Sequence, residues 1–158
     1  MEELIKRAEE KGINVEDLII AAIAVKDPKE SLKVRMELAE KYLNEVKEYL
    51  KKGDPVQASE KAYKVAEEVV KALAEKYNIN EYQQFIKDRW YIYTLGKAVN
   101  TLAHIVGDWI ISGWSSAYYL HVWGFHEMKL GVEDIKSYVE TVRKMFEECE
   151  RILMKELS

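Results

Sequence analysis

Residues 50–58 read Leu50-Lys51-Lys52-Gly53-Asp54-Pro55-Val56-Gln57-Ala58. Glycine closes one helix here and Asp-Pro opens the next. The carboxylate suits the unpaired N–H groups of a first turn, and proline at the first helical position loses no hydrogen bond. So short a connection forces the flanking helices to lie antiparallel. The upstream helix opens on the same signal, Asp27-Pro28, and should run to Lys52. In it Leu32, Met36, Ala39, Leu43, Val46 and Leu50 recur at spacings of four and three, the seam of a bundle. Leu38, Tyr42 and Tyr49 widen that stripe. The downstream helix should reach about Tyr77, with Ala58, Ala62, Val65, Val69, Ala72 and Leu73 as its seam. Its small residues Ala58, Ser59, Ala62 and Ala66 invite a neighbouring helix to approach closely.

Working outward, Glu2 to Lys11 predicts a short helix stopped by Gly12, and Asn14 caps a second one to about Val25. Beyond a break at Asn78 to Asn80, helices are predicted over Trp90 to Val106 and from Asp108, which is expected to cap after Gly107. In the last one, from Val132 to Leu157, Val132, Ile135, Val139, Val142, Phe146, Cys149 and Leu153 step by three and four. Cys149 on that seam reads as a small core residue. Glu37/Lys41, Glu48/Lys52, Glu60/Lys64, Glu67/Lys71 and Glu147/Arg151 read as i,i+4 pairs on solvent faces, and Glu67-Glu68 and Glu147-Glu148 as solvated acids. No strand alternation, internal repeat or low-complexity linker interrupts the series. The expectation is an all-α, antiparallel up-and-down bundle of four to five main helices. It forms a single domain over residues 1–158, with a helical extension at 1–26 and the bundle at 27–158.

Composition excludes several classes of function. The 158 residues carry 24 basic and 28 acidic side chains, a net charge of -4 shared evenly by the two halves, so no basic lobe advertises a nucleic acid. Met1-Glu2-Glu3 does not begin a secretory signal, and one cysteine forms no internal disulfide, which together suggest a cytoplasmic protein. From Ala98 to His126 Asp108 is the only formally charged residue, but it, His104 and three glycines argue against a membrane span. The 11 aromatics from Tyr82 to Phe125 have almost no Lys or Arg among them, and read as a core or homodimer interface through uncharged aromatic helices. A surplus of Lys and Glu over Asn and Gln resembles heat-adapted composition.

Three histidines are the scarce chemical resource. His104, in Leu102-Ala103-His104-Ile105-Val106, reads as a hydrogen-bonded core or interface residue. His121 and His126 flank Val122-Trp123-Gly124-Phe125 and are followed by Glu127. On one continuous α-helix, five residues apart means about 140° apart, so the two rings converge only if the chain turns at Gly124. Two readings stand. Either the stretch is a structural elbow, with Gly124 permitting the turn and Trp123 and Phe125 plugging the core, or a functional site is built on it. The ligand count is too low for zinc, no phosphate-binding or nucleophile-elbow motif is present, and no cofactor is implied.

Several strings carry a resemblance: Leu38-Ala39-Glu40-Lys41-Tyr42-Leu43, the run Gly53 to Tyr63, Lys71-Ala72-Leu73-Ala74, and Ala117-Tyr118-Tyr119-Leu120-His121-Val122-Trp123-Gly124-Phe125-His126-Glu127. From about residue 15 onward the chain resembles the archaeal PaREP family, type one, and more distantly the HEPN superfamily. The HEPN resemblance implies a helical bundle, commonly dimeric and often a metal-independent ribonuclease of toxin–antitoxin or defence systems. Such enzymes carry an Arg and a His four to six residues apart near the start of the last long helix. None of Arg7, Arg35, Arg89, Arg143 or Arg151 precedes a histidine at that interval. The reading is therefore a dimeric, non-catalytic binding module for a protein, nucleic acid or nucleotide. Its alternative is a divergent metal-independent ribonuclease with His121 and His126 as acid and base, and Glu127 or Arg89 as orienter, or an arginine from a partner subunit.

Overall fold

The computed structural model describes residues 1–157 and, among them, helices and no strand. The N-terminal extension is α1 (Glu2–Glu10) and α2 (Val15–Lys26), with Asn14 accepting from the Asp17 N–H as its cap. The long antiparallel pair follows as α3 (Pro28–Lys51) and α4 (Pro55–Lys76). Asp27 and Asp54 each accept the N–H three residues on, and Gly53 takes the left-handed φ of +70° that closes α3. The proline-capped pair is thus built as its sequence dictates. Helix α4 is the axis of the molecule. Val65, Ala66, Val69, Ala72, Leu73 and Ala74 are buried all round it, because α3 and the later helices enclose it.

Where the chain departs from expectation, the reasons are local. A short α5 (Asn80–Lys87) follows the turn at Asn78 and seats Tyr82 and Phe85 in the core. The next helix, α6, begins at Ile92 (Ile92–Val106) and not at Trp90, which remains in the bend and stacks on Phe85 at 5.3 Å. Gly107, at φ +113°, turns the chain into α7 (Trp109–Tyr119). Asp108 makes no side-chain cap there; the Trp109 indole closes the turn by donating to the Val106 carbonyl at 2.8 Å. His104 is exposed on α6 and not a core residue.

The last helix, α8 (Val132–Leu157), lays Ile135, Val142, Phe146, Cys149 and Leu153 against α4 and α7. Cys149 is buried as a core residue beside the Met36 sulfur. At Gly113 a Cβ would lie 2.7 Å from Met145 Cβ, so α7 and α8 touch almost backbone to backbone. One acidic pair is not a solvated face. Glu68 is buried and bonds Arg35 at 2.8 Å, while Arg35 and Lys71 both hold Asp17, at 2.6 and 2.9 Å. Glu67 beside it is half-buried, and the Glu67/Lys71 pair faces the interior of the extension, not solvent. This four-charge network ties α2 to α3 and α4.

Candidate functional site

Helix α7 runs without a break into a π-helical segment, Leu120–His126. Gly124 neither turns the chain nor takes a positive φ. It is buried against α4, where a Cβ would meet the Ser59 hydroxyl and lie 2.6 Å from Ser59 Cβ. The small-residue face of α4 and this glycine therefore fit each other. The wider winding is marked by the Glu127 N–H, which donates to the Val122 carbonyl five residues back at 2.8 Å. In that register residues five apart fall on one face, which an α-helix forbids.

The consequence is a linear chain of three titratable groups. His121 and His126 face each other Nε2 to Nε2 at 3.1 Å, with their rings edge-on. On the far edge of His121, Nδ1 lies 3.1 Å from Glu60 Oε2 on α4. As a carboxylate Glu60 only accepts, so His121 donates from Nδ1 and its Nε2 is a lone pair. That lone pair accepts from His126 Nε2–H, leaving Nδ1 of His126 as the basic nitrogen. Burial first, and the neighbouring His126 second, push the His121 pKa down to about 4, so at neutral pH this ring is an uncharged connector. Burial also raises the Glu60 carboxyl, partly offset by Lys64, His126 and Lys61.

The surroundings are aromatic. Tyr63 stacks on His121 with ring centroids 4.0 Å apart, and Tyr118 and Phe125 flank the same ring. The Tyr63 and Ser59 hydroxyls beneath the pair are buried without a partner. Next to it, Trp114, Tyr118, Tyr119, Val122 and Trp123 line an open groove of about 410 Å³. Trp123 is 45% exposed, so it does not plug the core, and Phe125 is only half-buried. Both face the groove side or the histidines.

Of the residues singled out by sequence, His121 and His126 come together. Glu127 follows the pair and is exposed, and among the described residues its carboxylate bonds neither ring. Arg89 is elsewhere, at the bend after α5, lining a separate cavity with Lys71 and Glu67. Glu60, read only as a helix-surface partner of Lys64, is the orienting carboxylate. The one signal for it is its position beside Ser59 on the face made for close approach. Among the described residues no group of three His, Cys, Asp or Glu is arranged to hold a metal ion. Glu60 and His126 bond opposite nitrogens of His121, so the three donors do not converge on a point.

The profile of the archaeal PaREP1/PaREP8 family matches residues 34–146. A crystal structure of a Sulfolobus solfataricus protein is similar, with 42% identity and a TM-score of 0.66, over 72% of this chain and 93% of that one. The solution structure of the same structural-genomics target, an Orf c02003 protein, gives 41% identity and a TM-score of 0.62, over 72% and 88%. No curated protein matches. Among the described residues no helix is long and apolar enough to cross a membrane.

Proposed function

The chain belongs to the archaeal PaREP1/PaREP8 family, and from that premise we propose that its Glu60–His121–His126 relay performs general acid–base cleavage of RNA without a metal. One observation carries the reading: the two imidazoles face each other at 3.1 Å, beside an open aromatic groove, with a carboxylate fixing the inner ring. His126 Nδ1 takes the 2′-hydroxyl proton, and the 2′-oxygen attacks phosphorus as the bond to the 5′-oxygen breaks. The charge gained by His126 is shared with His121 and balanced by Glu60, the arrangement by which a carboxylate orients and stabilises an imidazolium. The proton then returns to the departing 5′-oxygen. Tyr118 and Trp123, 39% and 45% exposed, supply faces on which bases stack.

Of the cations on α4, Lys64 acts more strongly on Glu60 than Lys61 does. Among the described residues no arginine bonds Glu60, His121 or His126, in keeping with the missing Arg–His interval. Metal-free cleavage of single-stranded RNA should therefore be compared between the wild type and His121→Ala/His126→Ala. The double variant is expected to lose about 10²–10⁴-fold in rate while keeping its helical circular dichroism. Equal rates, or no cleavage by either protein, would overturn the reading. They would leave the exposed, uncharged face of Ile111, Tyr118, Tyr119 and Trp123 as a non-catalytic contact surface, including for a second copy.

A further inference from the structure

A second site lies on the opposite business of the molecule, where the N-terminal extension covers the bundle. Two cavities meet there, of about 510 and 680 Å³, and share Gly12, Ile13, Asn14, Glu67, Lys71 and Arg89 in their walls. The larger is apolar in character, walled by Leu18, Ala21, Val25, Phe85, Ile86 and Leu95. Several of these are far too exposed for ordinary core residues: Leu18 and Ile86 at 59% and Val25 at 81%. The smaller is polar, with Glu9, Glu16, Tyr42 and Lys64 around it. A volume of this size, with apolar walls and a few polar groups at one end, is the ordinary form of a small-molecule site.

The polar groups at the junction are in two different conditions. Lys71 is consumed by Asp17, and Arg35 by Asp17 and Glu68, so that network is neutral and closed. Glu67 and Arg89 are not part of it. Among the described residues Glu67 makes no hydrogen bond and no ion pair, and feels only the Coulombic pull of Lys71 against its burial. Arg89 spends only Nε, on the Trp90 carbonyl at 3.3 Å, and lays its guanidinium over Tyr91 at 4.5 Å. Gly12 makes room for it, since a Cβ there would stand 3.0 Å from the Arg89 guanidinium. Trp90, 7% exposed and also in the wall, keeps its indole N–H buried without an acceptor. The junction thus holds a carboxyl outside the network, which burial lifts to about 7, a guanidinium with unspent N–H groups and a buried indole donor, beside an apolar groove.

We infer that this junction binds a free apolar α-amino acid. Its carboxylate is taken by Arg89 with the Trp90 N–H in reach, its ammonium by Glu67, and its side chain by the chamber between α2 and α5. An ammonium that ionises Glu67 and a carboxylate held by Arg89 pair both charges of the ligand, which neither a simple organic acid nor a simple amine does. The site shares no residue with the Glu60–His121–His126 relay, although Glu60 lies close enough along α4 to raise the Glu67 carboxyl.

Calorimetry on the full chain tests it with L-phenylalanine and L-leucine against 3-phenylpropionate, which lacks the ammonium, and phenethylamine, which lacks the carboxylate. L-Phenylalanine or L-leucine should bind, and each one-headed analogue should bind about 10–100-fold more weakly. Arg89→Met should weaken L-phenylalanine and leave phenethylamine unchanged; Glu67→Gln should weaken L-phenylalanine and leave phenylpropionate unchanged. Because each variant spares one ligand, a folding defect is told apart from a lost contact. No binding of either amino acid at millimolar concentration would overturn the inference. So would phenylpropionate binding as tightly as phenylalanine, or either variant weakening all the ligands alike.

Discussion

A single residue's environment sets the pH behaviour of each site. His121 has a pKa of about 4 in the folded protein against an ordinary 6.5, so between those values the unfolded chain binds the extra proton. Stability should therefore fall as pH drops from 6.5 toward 4. His121→Phe, which can keep the stack on Tyr63, should flatten that part of the curve in urea titrations. Glu67 has the opposite sign. Burial lifts its carboxyl from 4.5 to about 7, so the folded state holds the proton and loses stability as pH rises through 7. Glu67→Gln should stabilise the protein by about 1–3 kcal/mol at pH 8 and by much less at pH 5. Gly124→Ala places a methyl group into Ser59, and should cost about 1–3 kcal/mol and disturb the histidine pair as well. Of these residues, the histidines were marked by scarcity and Gly124 by residue type, although Gly124 serves close packing on Ser59 and not the turn its type suggested. Glu60 and Glu67 were not, because an acid four residues before a lysine looks the same on a solvated face as against a neighbouring helix.

At the scale of elements, what the sequence makes plain is whatever local chemistry enforces. Asp27-Pro28 and Asp54-Pro55 begin α3 and α4 where they must, since the carboxylates hold the Glu30 and Gln57 N–H groups at 3.2 and 3.1 Å. Asp54→Ala should lower stability by about 0.5–2 kcal/mol in thermal or denaturant unfolding, and Asp27→Ala by a similar amount. The π-helical segment has no such signature. Its residues would continue α7 as an ordinary helix, and nothing local announces a change of hydrogen-bond register. The wider turn is stabilised by what it packs against, Gly124 on Ser59 and His121 on Tyr63 and Glu60, contacts between segments some sixty residues apart. Helix α5 escaped for a related reason: with eight residues, it depends on seating Tyr82 and Phe85 more than on intrinsic propensity.

For the molecule as a whole, the bundle serves two purposes around α4. One face, made of small residues, receives the π-helical segment and with it the histidine pair. The other carries Glu68 and Lys71 into the buried network with Arg35 and Asp17, which fastens the extension over the bundle. Asp17→Ala leaves two buried cations short of a partner and should cost about 3–5 kcal/mol, read by denaturant unfolding of the intact chain. The balanced net charge, legible from the composition, concealed this internal electrostatics entirely. The most direct test of the account is the rate of metal-free RNA cleavage from pH 5 to 9, measured in parallel for wild type, Glu60→Gln and His126→Ala. The account predicts a rate that depends on pH near neutrality, is abolished by His126→Ala and is much reduced by Glu60→Gln. Cleavage unaltered by His126→Ala, or none at any pH, would contradict it.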